Sequence, residues 1–244
     1  MDREARLLAA QGGLAPRAPE QLALLVHLLA DADVEVKAAA DTTLNSIPKD
    51  ALAAVLARAD TTESTRQFFA VRGVFPSEGA AEESDEPLVD PDPPVPEPEG
   101  PLDEAARESL TEQITKMNFT QRLRAAVKGT REMRTVLIRD PNKMIAASVL
   151  SSPKLTESEV AAFSRMANVT EDVLRIIATN RRWLKNYGVV VGLTKNPKTP
   201  LGLSLNLMGR LNDRDMALLA IDRNVPEPLR VAARKKMVAA TSRS

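Results

Sequence analysis

From Asp140 onward the sequence repeats itself every 28 residues without a gap. The blocks beginning at Asp140, Asn168, Asn196 and Asn224 read DPNKMIAASVLSSPKLTESEVAAFSRMA, NVTEDVLRIIATNRRWLKNYGVVVGLTK, NPKTPLGLSLNLMGRLNDRDMALLAIDR and NVPEPLRVAARKKMVAATSRS. The first column is Asp or Asn, the residue of a turn or helix N-cap. The sixth column (Ile145, Val173, Leu201, Leu229) and the tenth (Val149, Ile177, Leu205, Ala233) stand four residues apart, on one face of a helix. The sixteenth is Leu155, Trp183 and Leu211. The twenty-fourth is Phe163, Val191 and Leu219, and the column after it is small: Ser164, Gly192, Ala220. Each block therefore reads as helix, tight turn, helix, turn. Single helices of this length are marginal in water, and stacking neighbouring blocks would bury a continuous core. The expected fold class is all-α, with short α-helical repeats stacked as an α-solenoid.

Upstream, LDEAARESLTEQITKMNFTQRLRAAVKGTREMRTVLIR gives helices outside the register, an N-terminal cap or a degenerate unit. The last block stops after one helix, which should close the stack. Between this body and the N-terminal region lies FPSEGAAEESDEPLVDPDPPVPEPEGP, holding 8 of the 17 prolines. Residues 73–106 carry 11 acidic side chains and no basic one, whereas residues 107–244 carry 25 basic and 12 acidic ones. So acidic and proline-rich a segment cannot bury enough apolar surface to offset its ordering entropy. It is expected to be an extended spacer that can also mask the basic body electrostatically, with Leu88 and Val89 as its only anchors. The predicted organisation is an N-terminal helical domain at 1–73, a disordered acidic, proline-rich linker at 74–101 and a C-terminal α-solenoid at 102–244.

In the N-terminal region, Leu22, Leu25, Val26 and Leu29 share a helix face behind Pro19, and Asp31 and Asp33 cap a second helix. Two further short helices are predicted near 49–59 and 62–72. Asp31, Asp33, Val36, Lys37, Ala39, Ala40 and Leu44 match, in order, the pattern of one HEAT motif, which this stretch resembles. Residues 120–236 look like a group of bacterial helical-repeat proteins related to HEAT repeats and the leucine-rich-repeat variant. That resemblance rests on KGTREMRTVLIRDPNKMIAASVLSSPKLTESEV, on WLKNYGVVVGLTKNPKTPLGLSLNLMGRLNDRD and on the recurrent Asn-Pro-Lys turns. It implies an α-solenoid and brings no catalytic residue with it. Repeat proteins of this style occur as accessory subunits and regulators in bacterial signalling and motility systems.

Composition narrows the chemistry. There is no cysteine, so disulfides, thiolate metal sites and a cysteine nucleophile are excluded. The single histidine, His27, lies in a leucine-rich helix without acid–base partners and reads as a helix residue rather than a catalyst. The carboxylate pairs Glu157/Glu159 and Glu171/Asp172 open helices, where acids complement the dipole. The stretch YGVVVGLTKNPKT suggests a phosphate loop at first sight. However, a P-loop needs four residues between its glycines and a Lys-Ser/Thr directly after the second, whereas Gly192 is followed by Leu193. In the repeat register Gly188 and Gly192 fall inside a helix, where a missing side chain permits close approach by a neighbour. No cofactor or metal is expected. No segment reaches the ~20 apolar residues of a membrane span, and no signal peptide is read in MDREARLLAAQGG. The expectation is a cytoplasmic protein without membrane insertion.

The candidate partner-binding residues are cationic and aromatic. The fifteenth column, Lys154, Arg182 and Arg210, forms a ladder, and the last column adds Arg139, Lys195 and Arg223. These read either as a solvated edge near helix ends or as a docking strip. Trp183 shares its column with leucines and reads as core. Tyr187 stands where its repeat-mates are Glu159 and Asp215. It is either an interface anchor or a ring lying across the gap left by Gly188. Arg175 is a cation in a column otherwise apolar. The resulting expectation is a non-enzymatic protein–protein interaction module, a scaffold or regulator in a bacterial signalling, polarity or motility system. One version is a helper of a small GTPase or its activating protein, where an added arginine can assist GTP hydrolysis. Intramolecular contact between the acidic linker and the basic C-terminal domain is part of the same expectation. The alternative is nucleic-acid binding on the basic face, against which stand the scarcity of aromatic residues and the interspersed acids.

Overall fold

A computed structural model describes residues 2–78, 84–92 and 104–241. Among them the chain is all-helical, with no strand. Two compact units form: residues 1–137 with 148–154, and residues 138–147 with 155–244.

The first unit opens with α1 (Arg3–Ala10), α2 (Ala18–Leu28), α3 (Val34–Ser46), α4 (Lys49–Leu56) and α5 (Glu63–Ala70). The helices predicted behind Pro19, after Asp33 and near 49–59 and 62–72 correspond to α2 to α5 within a few residues; α1 carries no such prediction. Alanines at Ala5, Ala9 and Ala10 let α1 lie close against α2 and α3, and all three are buried. Asp2 caps it by accepting from the Ala5 amide at 2.7 Å. Asp33 caps α3 through the Glu35 amide at 2.9 Å and also receives Arg3 Nε at 2.7 Å, while Asp31 receives Arg6 Nε at 2.9 Å. Asp31 and Asp33 thus tie α1 to the start of α3. Val36, Ala40 and Leu44 form the buried side of α3.

Three more helices belong to this unit: α6 (Glu104–Lys116), α7 (Phe119–Lys128) and α8 (Arg131–Leu137). A capping box starts α7: Asn118 accepts from the Gln121 amide, and Gln121 accepts from the Asn118 amide. Leu123 and Phe119 of α7 pack into the same core as α1 and α2, and Thr120 Oγ1 donates to Asp2. Residues 148–154 join the unit because Arg17 holds them. Its backbone N–H donates to Ser151 O at 3.1 Å, and its Nη2 donates to Leu150 O at 2.8 Å.

The second unit contains most of α9 (Lys143–Val149), then α10 (Glu157–Arg165), α11 (Glu171–Thr179), α12 (Tyr187–Lys195), α13 (Leu201–Met208), α14 (Asp213–Ile221) and α15 (Glu227–Thr241). These helices recur at the 28-residue spacing. The glycine-bearing stretch YGVVVGLTK is α12, so its valine run is helical. α12 packs on α10, α13 on α12, and α15 on both α13 and α14. At the small column α12 lies directly against α10. A Cβ added at Gly192 would stand 2.0 Å from Ser164 Oγ and 3.0 Å from Ser164 Cβ. One turn on, Asn196 closes α12 and donates its amide to Ser164 O and Met166 O of α10, both at 3.0 Å.

One helix departs from the expected face. Leu201 and Leu205, predicted as core, are 37% and 36% exposed, and α13 buries Ser204, Leu207 and Met208 instead. Pro200 is the N-cap of α13, which starts at Leu201, two residues later in the block than α9 and α11. Pro228 fills the same column of the last block, where α15 starts at Glu227 and keeps Leu229 and Ala233 buried. Val191, also predicted as core, is half-buried, while its neighbours Val189, Val190 and Leu193 face the interior.

Candidate functional site

The sequence-derived candidates divide between the two units. Lys154 belongs to the first, with Arg182, Arg210, Arg139, Lys195, Arg223 and Tyr187 in the second. Arg210 Nη2 donates to the Leu184 carbonyl at 2.6 Å. Lys154 and Arg182 are half-buried, whereas Arg139 and Arg223 are exposed. Arg175, the odd cation of its column, pairs with Glu171 at 2.6 Å across one turn of α11. Trp183 is 4% exposed and sits in a short 3₁₀ turn, Trp183–Lys185, ahead of α12. His27 is exposed near the end of α2.

Two of the candidates, Tyr187 and Lys195, converge on a residue that was not among them. The Tyr187 hydroxyl donates to Asp215 Oδ2 at 2.7 Å and accepts from the Asn212 amide at 3.1 Å. Lys195 Nζ donates to Asp215 Oδ1 at 2.9 Å. Tyr187 and Asp215 are 28 residues apart and occupy the same column of consecutive blocks. The aromatic substitution therefore bonds to the acid that replaces it one block on, joining the start of α12 to the start of α14. The signal in the sequence was that shared column. It marked both positions but not that a tyrosine is long enough to reach its own repeat-mate.

This cluster shifts the titration of both partners. Lys195, and after it Tyr187, hold the Asp215 carboxyl below its ordinary range. Partial desolvation, with the nearby Asp215 charge, raises the Tyr187 phenol. A depressed carboxyl stabilises above its unfolded pKa, about 3.9, and that stabilisation is lost as pH falls through the folded value. A raised phenol stabilises below its unfolded pKa, about 10, and is lost as pH rises through the folded value. Asp215→Ala is expected to cost about 1 kcal/mol at pH 7 and to flatten the acid limb of the stability profile. Tyr187→Phe should destabilise less, and the double variant should lose less than the sum of the two. Urea titrations from pH 3 to 11 read all three, and strict additivity would show that the two side chains are not coupled.

A second constellation lies in the first unit, around the segment expected to be free spacer. Residues 84–92 are held against helices. Gln21 of α2, 1% exposed, brackets Val89: its Nε2 donates to Val89 O at 2.6 Å and its Oε1 accepts from the Val89 N–H at 2.9 Å. The Val89 side chain rests on Gly12, where an added Cβ would stand 2.9 Å from Cγ1 and where φ is +79°. Glycine is required there by both space and backbone. Lys128 donates to Asp90, and Arg124 Nη2 donates to Asp92 Oδ2 at 2.6 Å. At the other end Arg58 donates to Ser84 O while paired with Asp60. Leu88 and Val89 pack against the core of the first unit as anchors. Sequence reading marked those two residues and the charge contrast, but not Gln21 or Gly12.

A third feature is an apolar surface on the last two helices of the second unit. Leu218 and Ile221 on α14, and Val231, Met237 and Val238 on α15, are exposed, Ile221 and Val238 by 68% and 70%. Arg234, Lys235 and Lys236 are interleaved with them and exposed as well.

Among the described residues no group of three or more His, Cys, Asp or Glu side chains is placed to hold a metal ion. No helix there is long and apolar enough to cross a membrane. Fold and surfaces together define an all-helical chain with 28-residue repetition in its second half. Comparison with known proteins adds no relative: no family model, no curated protein and no solved structure matches.

Proposed function

We propose that this chain is a non-enzymatic protein-interaction module, a scaffold or regulator whose repeat helices stack as a HEAT-like α-solenoid and present their last helices to another protein. The observation that carries this reading is the exposed apolar residues on α14 and α15 with cations among them. Apolar side chains concentrated on a surface and rimmed by charge mark interaction sites. The cationic columns contribute orientation rather than most of the affinity.

The test compares affinity purification from the native host with three baits: the unaltered chain, Leu218→Glu/Ile221→Glu, and Lys154→Glu/Arg182→Glu/Arg210→Glu. Leu218 and Ile221 are exposed, and surface substitutions there shift stability by only about 0.5 kcal/mol; circular dichroism of all three baits checks that each is folded before recovery is compared. A defined protein partner lost at least tenfold with the apolar double variant supports the reading. Identical recovery with all three removes it. Duplex nucleic acid bound by the purified chain, with affinity falling steeply as salt rises, would replace it with the nucleic-acid alternative.

A further inference from the structure

The segment Leu88–Asp92 lies on the first unit as a peptide lies on a receptor. Its main chain is read by one side-chain amide: Gln21 bonds both the N–H and the C=O of Val89. Such bracketing recognises an extended backbone and is indifferent to which chain supplies it. Specificity comes from the flanks. Gly12 leaves a space that the Val89 side chain fills. Lys128 faces Asp90, and also Asp92 at 3.6 Å, while Arg124 faces Asp92.

We propose that the groove lined by Gly12, Gln21, Lys128 and Arg124 is a binding site for an extended acidic peptide of the pattern apolar–Val–Asp–x–Asp. In the free protein it is filled by the chain's own Leu88–Asp92, and it accepts the same pattern from another protein. This concerns a different surface from α14 and α15 and stands without the reading given to them.

Two groups decide the chemistry of the occupant. The Lys128 side chain is 6% exposed, and its described partners are Asp90 and Asp92. The Gln21 side chain is buried, and its described partners are both on Val89. An occupant that seals the groove without offering a carboxylate to Lys128 and a main-chain N–H and C=O to Gln21 would leave a buried ammonium and a buried amide unsatisfied, which is costly. A neutral or basic peptide is therefore a poor substitute. The rim favours exchange: Arg124 and Asp92 are 45% and 35% exposed at their side chains, so that pair is screened by salt and contributes little. The chain's own segment competes as an intramolecular ligand. An incoming peptide thus binds weakly unless the internal copy is weakened.

The experiment uses the full chain and a fluorescein-labelled copy of the peptide Ser84–Asp92, read by anisotropy. Asp90→Lys/Asp92→Lys in the protein should tighten binding of the unaltered peptide at least tenfold relative to the unaltered protein. Adding Gln21→Ala should abolish that gain, and a peptide with both aspartates changed to asparagine should bind at least tenfold more weakly. In parallel, hydrogen exchange is followed over residues 84–92 of isotope-labelled unaltered protein, which needs no variant to fold. Excess peptide should speed exchange at Val89, because its amide leaves Gln21. No gain of binding in a folded Asp90→Lys/Asp92→Lys protein, equal binding of the asparagine peptide, or exchange at Val89 unmoved by excess peptide would each overturn the proposal.

Discussion

Trp183→Ala is expected to destabilise the second unit by about 3 to 5 kcal/mol, the range for removing a buried large aromatic side chain. The indole is 4% exposed, so its loss leaves a cavity rather than freeing a surface. Leucine is the residue of the same column in the neighbouring blocks, Leu155 and Leu211. Trp183→Leu should therefore cost clearly less than Trp183→Ala. The measurement is urea unfolding followed by circular dichroism, which does not depend on the chain's only tryptophan. Alanine and leucine variants both within 1 kcal/mol of the unaltered chain, as surface changes are, would show that Trp183 is not a core residue.

The second large effect is at Gly192. Gly192→Val should cost about 3 kcal/mol, the upper part of the range for overpacking a close contact. Its Cβ would fall 2.0 Å from Ser164 Oγ, and turning that hydroxyl away still leaves Ser164 Cβ at 3.0 Å and Arg165 Cγ at 3.1 Å. α12 must then move off α10, stretching the Asn196 bonds to Ser164 O and Met166 O. The contact is isolated by a pair of substitutions. Gly192→Ala adds one methyl and gains about 1 kcal/mol of helix propensity. It should be destabilising in the unaltered chain and stabilising once Ser164→Gly has cleared the space. Trp183 lies in the same unit, so its fluorescence reports the transition directly. A Gly192→Ala variant more stable than the parent, with Ser164 in place, would show that the helices are not in contact there.

The all-helical class, the 28-residue recurrence of helices and the Asp33 cap of α3 were legible in the sequence because each is a local matter. An Asn or Asp three residues from an apolar run caps a helix whatever lies across from it, and the apolar columns record which side must be hidden. Trp183 was legible as core for the same reason. Gly192 was legible as a contact because its column is small in every block, although the partner, Ser164, was given only by the packing. The same reasoning fails at α13. There Ser204, Leu207 and Met208 are buried in place of Leu201 and Leu205, and the column pattern does not show it: the last block carries a proline in the same column, Pro228, and keeps its expected face buried.

What only the tertiary structure decided depends on reach across sequence distance. Tyr187 could be read as an anchor or a gap filler; it is a hydrogen-bond donor to Asp215 and an acceptor from Asn212. The acidic segment reads by composition as a free spacer, yet residues 84–92 are docked. Composition averages over a segment, and docking needs only Gln21, Gly12, Lys128 and Arg124 meeting five consecutive residues. The grouping of α6 to α8 with the first unit is of the same kind. It follows from Phe119, Thr120 and Leu123 meeting residues more than a hundred positions earlier, contacts that no local pattern encodes.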